Sequence, residues 1–255
     1  MMVYSVGLGP GDPELVTVKA KRILEQSDMV VVPQSDQTGR SVAREIVLRY
    51  IPEEKIMMYY FPMNNDRMEL QRRYKELAGK IKDLLSRGKK VCYVTMGDPT
   101  IYSTSNYLTD KLLSIGVRVS HIPGISSINA TSAKISMPLC VKGENFGVYE
   151  MPSDVQKAVE LISRHPTTVF MKVNKRLQVL IEAVKMVKPE RAYLARRLGL
   201  DGEQVYDMLN CAPPPEAAYL SVAVIRRRRK LNSCELIGTM KGKIKIKGDI
   251  INSGK

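Results

Sequence analysis

The sequence predicts an α/β fold of two units with a largely parallel sheet, on three observations. β-rich runs alternate with helical stretches along the chain, the order that parallel pairing requires. Loops rich in glycine and proline follow strand-like runs at residues 7–13, 96–104 and 123–127. Pro, Gly and Ser then cluster between Pro123 and Pro152, where one unit gives way to the next.

Each element has a local reason. Residues 3–8 read as a first strand, followed by a Gly/Pro loop and a helix from about residue 15 to 26. Residues 28–32 form a second strand, closed by Pro33. Ser41 caps a helix to Tyr50, and Asp66 caps a long polar helix ending before Gly88. A strand over 91–95 precedes Gly97-Asp98-Pro99 and a helix through Leu113, and a strand over 117–122 runs into Pro123-Gly124 and a further helix. The second unit reads as strand 146–150, helix 154–163, strand 167–173, helix 175–188, and strands near 191–195 and 217–225. Residues 231–255 hold few large apolar side chains and alternate Lys with Ile, the pattern of a basic tail or an added edge hairpin.

Composition narrows the function classes. The chain has 255 residues, enough for one large or two small cores, and its 44% hydrophobic content is that of a globular protein. No apolar run approaches the ~18 residues of a membrane span, and Gly9, Pro10 and Asp12 interrupt any signal-like start. The chain therefore reads as soluble and cytoplasmic. Cys92, Cys140, Cys211 and Cys234 stand far apart and read as buried thiols rather than a disulfide or zinc framework. His121 and His165 are the only histidines, and no metal site is expected. The net charge of +14 raises nucleic acid or a polycarboxylate small molecule as partner. Part of the excess lies in Arg226-Arg227-Arg228-Arg229-Lys230 and between Lys241 and Lys247; the remainder is scattered over polar helix faces. With no Trp, three Phe and no basic–aromatic platform for stacking bases, a specific nucleic-acid partner is not expected.

The chemistry-bearing segments are loops. Gly7-Leu8-Gly9-Pro10-Gly11-Asp12-Pro13 follows the first strand, and its glycines allow a tight turn and close approach to a ligand. It is neither a dinucleotide fingerprint nor a Walker loop, and taken alone it leaves a plain strand-to-helix turn and a ligand loop both open. Met96-Gly97-Asp98-Pro99-Thr100-Ile101-Tyr102-Ser103-Thr104 and Pro123-Gly124-Ile125-Ser126-Ser127 have the same character, and Met137-Pro138-Leu139 follows the next helix. In an open parallel sheet such loops converge at the carboxyl edge, where ligands bind. Asp98, Ser126 and Ser127 could equally cap the helices they precede, Lys172 could be a solvated edge residue, and Tyr219 a half-buried strand aromatic.

The order G-L-G-P-G-D-P-E-L-V-T-V-K-A, G-D-P, P-G-I-S-S and M-P-L, spread over residues 3–226, resembles the tetrapyrrole methylase family. Within it, G-D-P-T-I-Y-S-T and Phe61-Pro62-Met63 are similar to the carbon-20 methyltransferases of precorrin-2 or cobalt-factor II in cobalamin biosynthesis. The resemblance implies two α/β domains, here 1–122 and 123–230 with the tail 231–255 outside it, and an active site in the cleft between them. It implies S-adenosylmethionine as methyl donor, a polycarboxylate tetrapyrrole as acceptor and a homodimer. Carried over by position, Pro10, Met96, Gly97, Asp98, Ile101, Ser126, Ser127, Lys172 and Ala195 contact the cofactor. Tyr219, on the last strand, faces the substrate. Asp98 or Tyr219 would relay the proton that leaves the methylated carbon.

Overall fold

In this computed structural model, which describes residues 1–34, 41–62 and 66–228, the described strands form two five-stranded sheets. The first takes β1 (Met2–Gly7), β2 (Met29–Gln34), β3 (Ile56–Tyr60), β4 (Val91–Thr95) and β5 (Arg118–Ile122) in the order β3-β2-β4-β1-β5, every pair parallel. Such a sheet needs both faces covered. Helices α1 (Val18–Gln26) and α2 (Val42–Val47) place Ala20, Leu24, Ala43 and Ile46 against Val6, Val30, Val32 and Val94 on one face. On the other, α3 (Arg67–Ser86) and α4 (Ser105–Ser114) bring Leu77, Ile81, Leu108 and Leu112 onto Val3, Val31 and Tyr93. The period-two switch from Val30 to Val31 to Val32 is what sends successive valines to opposite layers.

The second sheet corrects the expectation of a largely parallel arrangement. It takes β6 (Phe146–Glu150), β7 (Thr167–Met171), β8 (Arg191–Arg196), β9 (Gln204–Asp207) and β10 (Ser221–Arg226) in the order β6-β7-β10-β8-β9. Only β6 and β7 are parallel; β10 runs antiparallel between β7 and β8, and β9 antiparallel to β8. Helix α5 (Ser127–Lys134) covers one face, with Ile128 packed on Val169, Val222 and Val224. Helices α6 (Val155–Arg164) and α7 (Leu177–Val187) cover the other around Phe170, Leu194 and Ile225. Phe170 is fully buried, and truncating such a side chain to Ala costs ~3–5 kcal/mol.

The caps at Ser41 and Asp66 are formed: Ser41 Oγ accepts from Arg44 N, and Asp66 Oδ1 from Met68 N and Glu69 N. The first helix begins later than expected, because residues 13–15 form a 3-10 turn and Thr17 caps α1. Pro33 lies inside β2, at a point where pairing to β4 has ended at Val31 and only β3 remains alongside, so the missing N–H interrupts no ladder on the β4 side. β3 and β9 were not foreseen. Cys92 is buried, with its thiol pushed up to about 12 by desolvation, but Cys140 and Cys211 are exposed, against the expectation of buried thiols. Part of the late basic run is structural: Arg226 pairs with Glu144 at 2.9 Å, and Arg227 Nε donates to His165 O. Met63, Arg229 and the tail 231–255 lie outside the described residues. Among those described, no helix is long and apolar enough to cross a membrane, and no cluster of His, Cys, Asp or Glu is arranged to hold a metal.

Candidate active site

From β1 the chain crosses the first sheet in one direction to β2, and from β4 in the other to β5, so the adjacent carboxyl ends of β1 and β4 mark the reversal of strand order. Crevices at such points are where open α/β sheets bind ligands. The two loops that leave these ends hold each other by main chain. Gly97 N donates to Gly9 O at 2.6 Å and Gly9 N to Gly97 O at 3.2 Å, with both glycines in the left-handed region at φ 68° and 79°. The loop after β5 closes on the same spot. A methyl group added to Gly124 would lie 2.2 Å from Gly97 O, and one added to Gly7 would lie 2.7 Å from Gly124 N. The three loops singled out by the sequence therefore meet backbone to backbone.

Asp98 locks this junction. Its Oδ1 accepts from Thr100 N at 2.8 Å and Thr100 Oγ1 at 2.5 Å, and its Oδ2 accepts from Gly124 N at 3.1 Å. Desolvation works against the charged form, but the bonds from Thr100 and Gly124, helped by His121, outweigh it and hold the carboxyl below its ordinary value. The far end of the loop is tied by hydroxyls: Thr95 Oγ1 meets Ser103 Oγ at 2.9 Å, which meets Ser105 Oγ at 2.8 Å. Ser126 Oγ accepts from Ile128 N at 3.3 Å and caps α5, and Ser127 opens that helix, giving its carbonyl to Thr131 Oγ1.

A cleft of about 950 Å³ lies between this loop and the carboxyl ends of β6 and β7. Ile101 and Lys172 line it. Ile101 leaves the first sheet's loop to pack on the second sheet's core beside Val148, while Met96 turns back into the first. Ile101, Ile128 and Val148 make the apolar part of the wall; Thr100, Ser103, Asn106 and Glu150 supply polar atoms. Three lining residues sit in the left-handed region without being glycine: Tyr102 at φ 47°, Lys172 at 56° and Asn174 at 29°. Such conformations cost of order 1–3 kcal/mol each and gather at ligand sites. Lys172 and Lys175 are exposed on the rim, and Arg176 is paired with Glu150 at 3.1 Å.

Pro10, Met96, Gly97, Asp98, Ser126, Ser127, Ala195 and Tyr219 lie outside this lining, so of the expected contact positions only Ile101 and Lys172 reach the cleft. Pro10 belongs to a second seam, where Gly11 is so close to Leu198 O and Leu200 that an added methyl would stand 2.5 Å from the former. Ala195 is buried on β8 between Val222 and Val205. Tyr219 corrects the expectation of a strand residue: it ends the 3-10 turn Pro215–Ala218, two positions before β10, and is 47% exposed. The sequence reading missed Tyr107, Asn174, Lys175 and Arg176. Lys175 and Arg176 carried a signal, since they follow a strand and open a helix as the singled-out loops do.

The cleft joins an apolar wall to convergent polar atoms, the make-up of a small-molecule site. The protein-family model for tetrapyrrole (corrin/porphyrin) methylases matches residues 2–209. A probable cobalt-precorrin-2 C(20)-methyltransferase of Methanocaldococcus jannaschii is 32% identical over 235 residues, covering 89% of this chain and 97% of that protein. The cobalt-precorrin-2 C(20)-methyltransferase of Salmonella typhimurium is 28% identical, covering 82% and 88%. Among solved structures, a cobalt precorrin-4 methyltransferase superposes with a TM-score of 0.69 at 19% identity, covering 88% of this chain and 94% of that one. The uroporphyrin-III C-methyltransferase of Thermus thermophilus, solved with S-adenosylhomocysteine, superposes at 0.61 with 22% identity, covering 89% and 97%. With its fold, its loop motifs and most of its length in common with them, this chain belongs to the tetrapyrrole methylase family.

Proposed function

We propose that the chain transfers the methyl group of S-adenosylmethionine to the carbon-20 meso position of precorrin-2 or its cobalt form, in cobalamin biosynthesis. The observation that carries this reading is likeness over nearly the whole of both chains to a protein named for that reaction. A methylase acting on another ring position is the nearest alternative. The cobalt-precorrin-4 C(11)-methyltransferase of the same archaeon is 34% identical, but over only 54% of this chain and 47% of its own.

S-adenosylmethionine supplies an electrophilic methyl on a sulfonium, so the protein's task is chiefly alignment, and orientation alone can contribute ~7–11 kcal/mol to lowering a barrier. In this reading Gly97, Asp98 and Ile101 hold the donor, with Pro10, Met96, Ser126, Ser127, Lys172 and Ala195 at its margins. Lys172 and Lys175 draw the acceptor's carboxylates to the rim. A proton must leave the methylated carbon. Asp98 is a weak acceptor, because its oxygens are engaged and its carboxyl lies low. Tyr219, exposed and with a hydroxyl free to donate and accept, is the better relay of the two. We also propose a cytoplasmic homodimer, the usual assembly implied by the resemblance. The deciding experiment incubates the protein with S-adenosylmethionine and either metal-free or cobalt-loaded dimethylated tetrapyrrole. Gain of one methyl mass, located at carbon 20 by NMR, supports the proposal; a methyl at another position overturns it.

A further inference from the structure

The geometry points to Tyr107, with Tyr102, as a ring shelf that carries the flat face of the tetrapyrrole, opposite the carboxylate-binding Lys172 and Lys175; this rests on the substrate class proposed above. Both tyrosines line the cleft and both are exposed, Tyr107 by 55% and Tyr102 by 41%. Large aromatic surface left open in a concave, partly apolar site marks a ligand contact. Neither ring is loose. Tyr107 stands in the first turn of α4 with its N–H on Thr104 O, and its ring rests on Tyr74 at 5.7 Å between centroids. Tyr74 rests on Phe61 at 4.7 Å, and Phe61 on Tyr59 at 5.1 Å, so a row of rings backs Tyr107 from the core outward. Tyr102 is held in a left-handed conformation by a loop pinned at Asp98 and at Ser103.

The opposite wall has the complementary character. Glu150 is neutralised by Arg176, which leaves Lys172 and Lys175 to set the sign of the rim. A conjugated macrocycle edged with carboxylates presents a π-face for the rings and anions for the lysines. A cofactor with a single carboxylate uses little of such a shelf. On this assignment the tyrosines govern acceptor binding and leave donor binding alone.

The test is a fluorescence titration with a polycarboxylate porphyrin, run beside calorimetry with S-adenosylhomocysteine, on wild type, Tyr107→Ala and Tyr107→Phe. Tyr107→Ala should weaken porphyrin binding about tenfold or more and change S-adenosylhomocysteine affinity less than about twofold. Tyr107→Phe should restore most of the porphyrin affinity. In turnover, the Ala variant should raise KM for the tetrapyrrole more than it lowers kcat. Unchanged porphyrin affinity in Tyr107→Ala, with wild type binding normally, overturns the shelf alone. If wild type binds S-adenosylhomocysteine but no porphyrin, the proposed substrate class falls and takes the shelf with it.

Discussion

Both carboxylate oxygens of Asp98 are occupied by loop donors, one set from Thr100 and one from Gly124. Replacing the side chain by Ala leaves these N–H groups to find water and frees the loop after β4 from the loop after β5. The expected loss is ~1–3 kcal/mol of stability and about a tenfold drop in S-adenosylhomocysteine affinity, read by calorimetry. A folded Asp98→Ala protein with wild-type affinity would reduce Asp98 to a local cap. The depressed carboxyl also has a pH signature. Its hydrogen bonds favour the ionised form, so the stability it adds is fully present above the unfolded value of ~3.9 and is lost as pH falls through the lower folded value. Melting scans below pH ~4 should therefore show a steeper decline for wild type than for Asp98→Asn. Tyr219 is tested by rate instead. If it relays the proton, Tyr219→Phe lowers kcat by ~10²–10⁴-fold at unchanged donor affinity, whereas a wild-type rate would send the proton to solvent.

At the scale of elements, the contacts between loops are made by main chain, and glycine is what permits them. Gly124→Ala would set a methyl 2.2 Å from Gly97 O and 2.8 Å from the carbonyl carbon of Gly7, none of which can rotate away. The loops must part, and S-adenosylhomocysteine binding should fall by more than about tenfold with a lowered Tm. Gly79, midway along α3, is the contrast: nothing lies within 4 Å of an added methyl there. Gly79→Ala should raise stability by ~0.5–1 kcal/mol, seen as a higher Tm at unchanged activity. This difference also separates what could be read in the sequence from what could not. Helix caps at Ser41 and Asp66, and the strands at 91–95 and 146–150, follow from local chemistry and were legible. The antiparallel insertion of β10 between β7 and β8 is a long-range pairing that alternation of side chains does not specify. β3, Ile-Met-Met-Tyr-Tyr, has no period-two pattern to give it away, and β9 is only four residues long. The left-handed tyrosine at 102 was inside a motif already singled out, but its loop is pinned by contacts that leave the motif, Asp98 with Gly124 and Ser103 with Thr95. Ile101 and Lys172 were expected as cofactor contacts only from the resemblance, and the cleft they share came from packing of two sheets that no single segment encodes.

Across the whole molecule, the two sheets are fastened on two sides. Ile101 packs into the second core on the cleft side. On the other, Gly11 lies against Leu198 and Leu200 and Gly199 against Asp12, in a loop that the second unit braces from its own side through Lys134 with Glu203, whose carboxyl also accepts from Gly199 N at 2.7 Å. These contacts fix the spacing of the cleft walls, so the charge on its rim has a defined position rather than a diffuse one. The excess of cations, 40 Lys and Arg against 26 Asp and Glu, is partly absorbed by structure, as at Arg226 with Glu144 and Arg73 with Glu69. Lys172 and Lys175 remain at the mouth of the cleft, where a polycarboxylate would meet them. Attraction between exposed charges is screened beyond ~10 Å at 0.1 M salt and ~3 Å at 1 M. Raising salt should therefore increase KM for the tetrapyrrole several-fold. KM for S-adenosylmethionine, a zwitterion-tailed cation, should move less than about twofold. A Lys172→Gln/Lys175→Gln double variant should start from a higher tetrapyrrole KM and show a flatter salt dependence. Equal rises in both Michaelis constants would mean that salt acts on the fold or the donor site. Tight binding of single-stranded or duplex nucleic acid with a steep salt slope would instead assign the basic excess to a phosphate backbone.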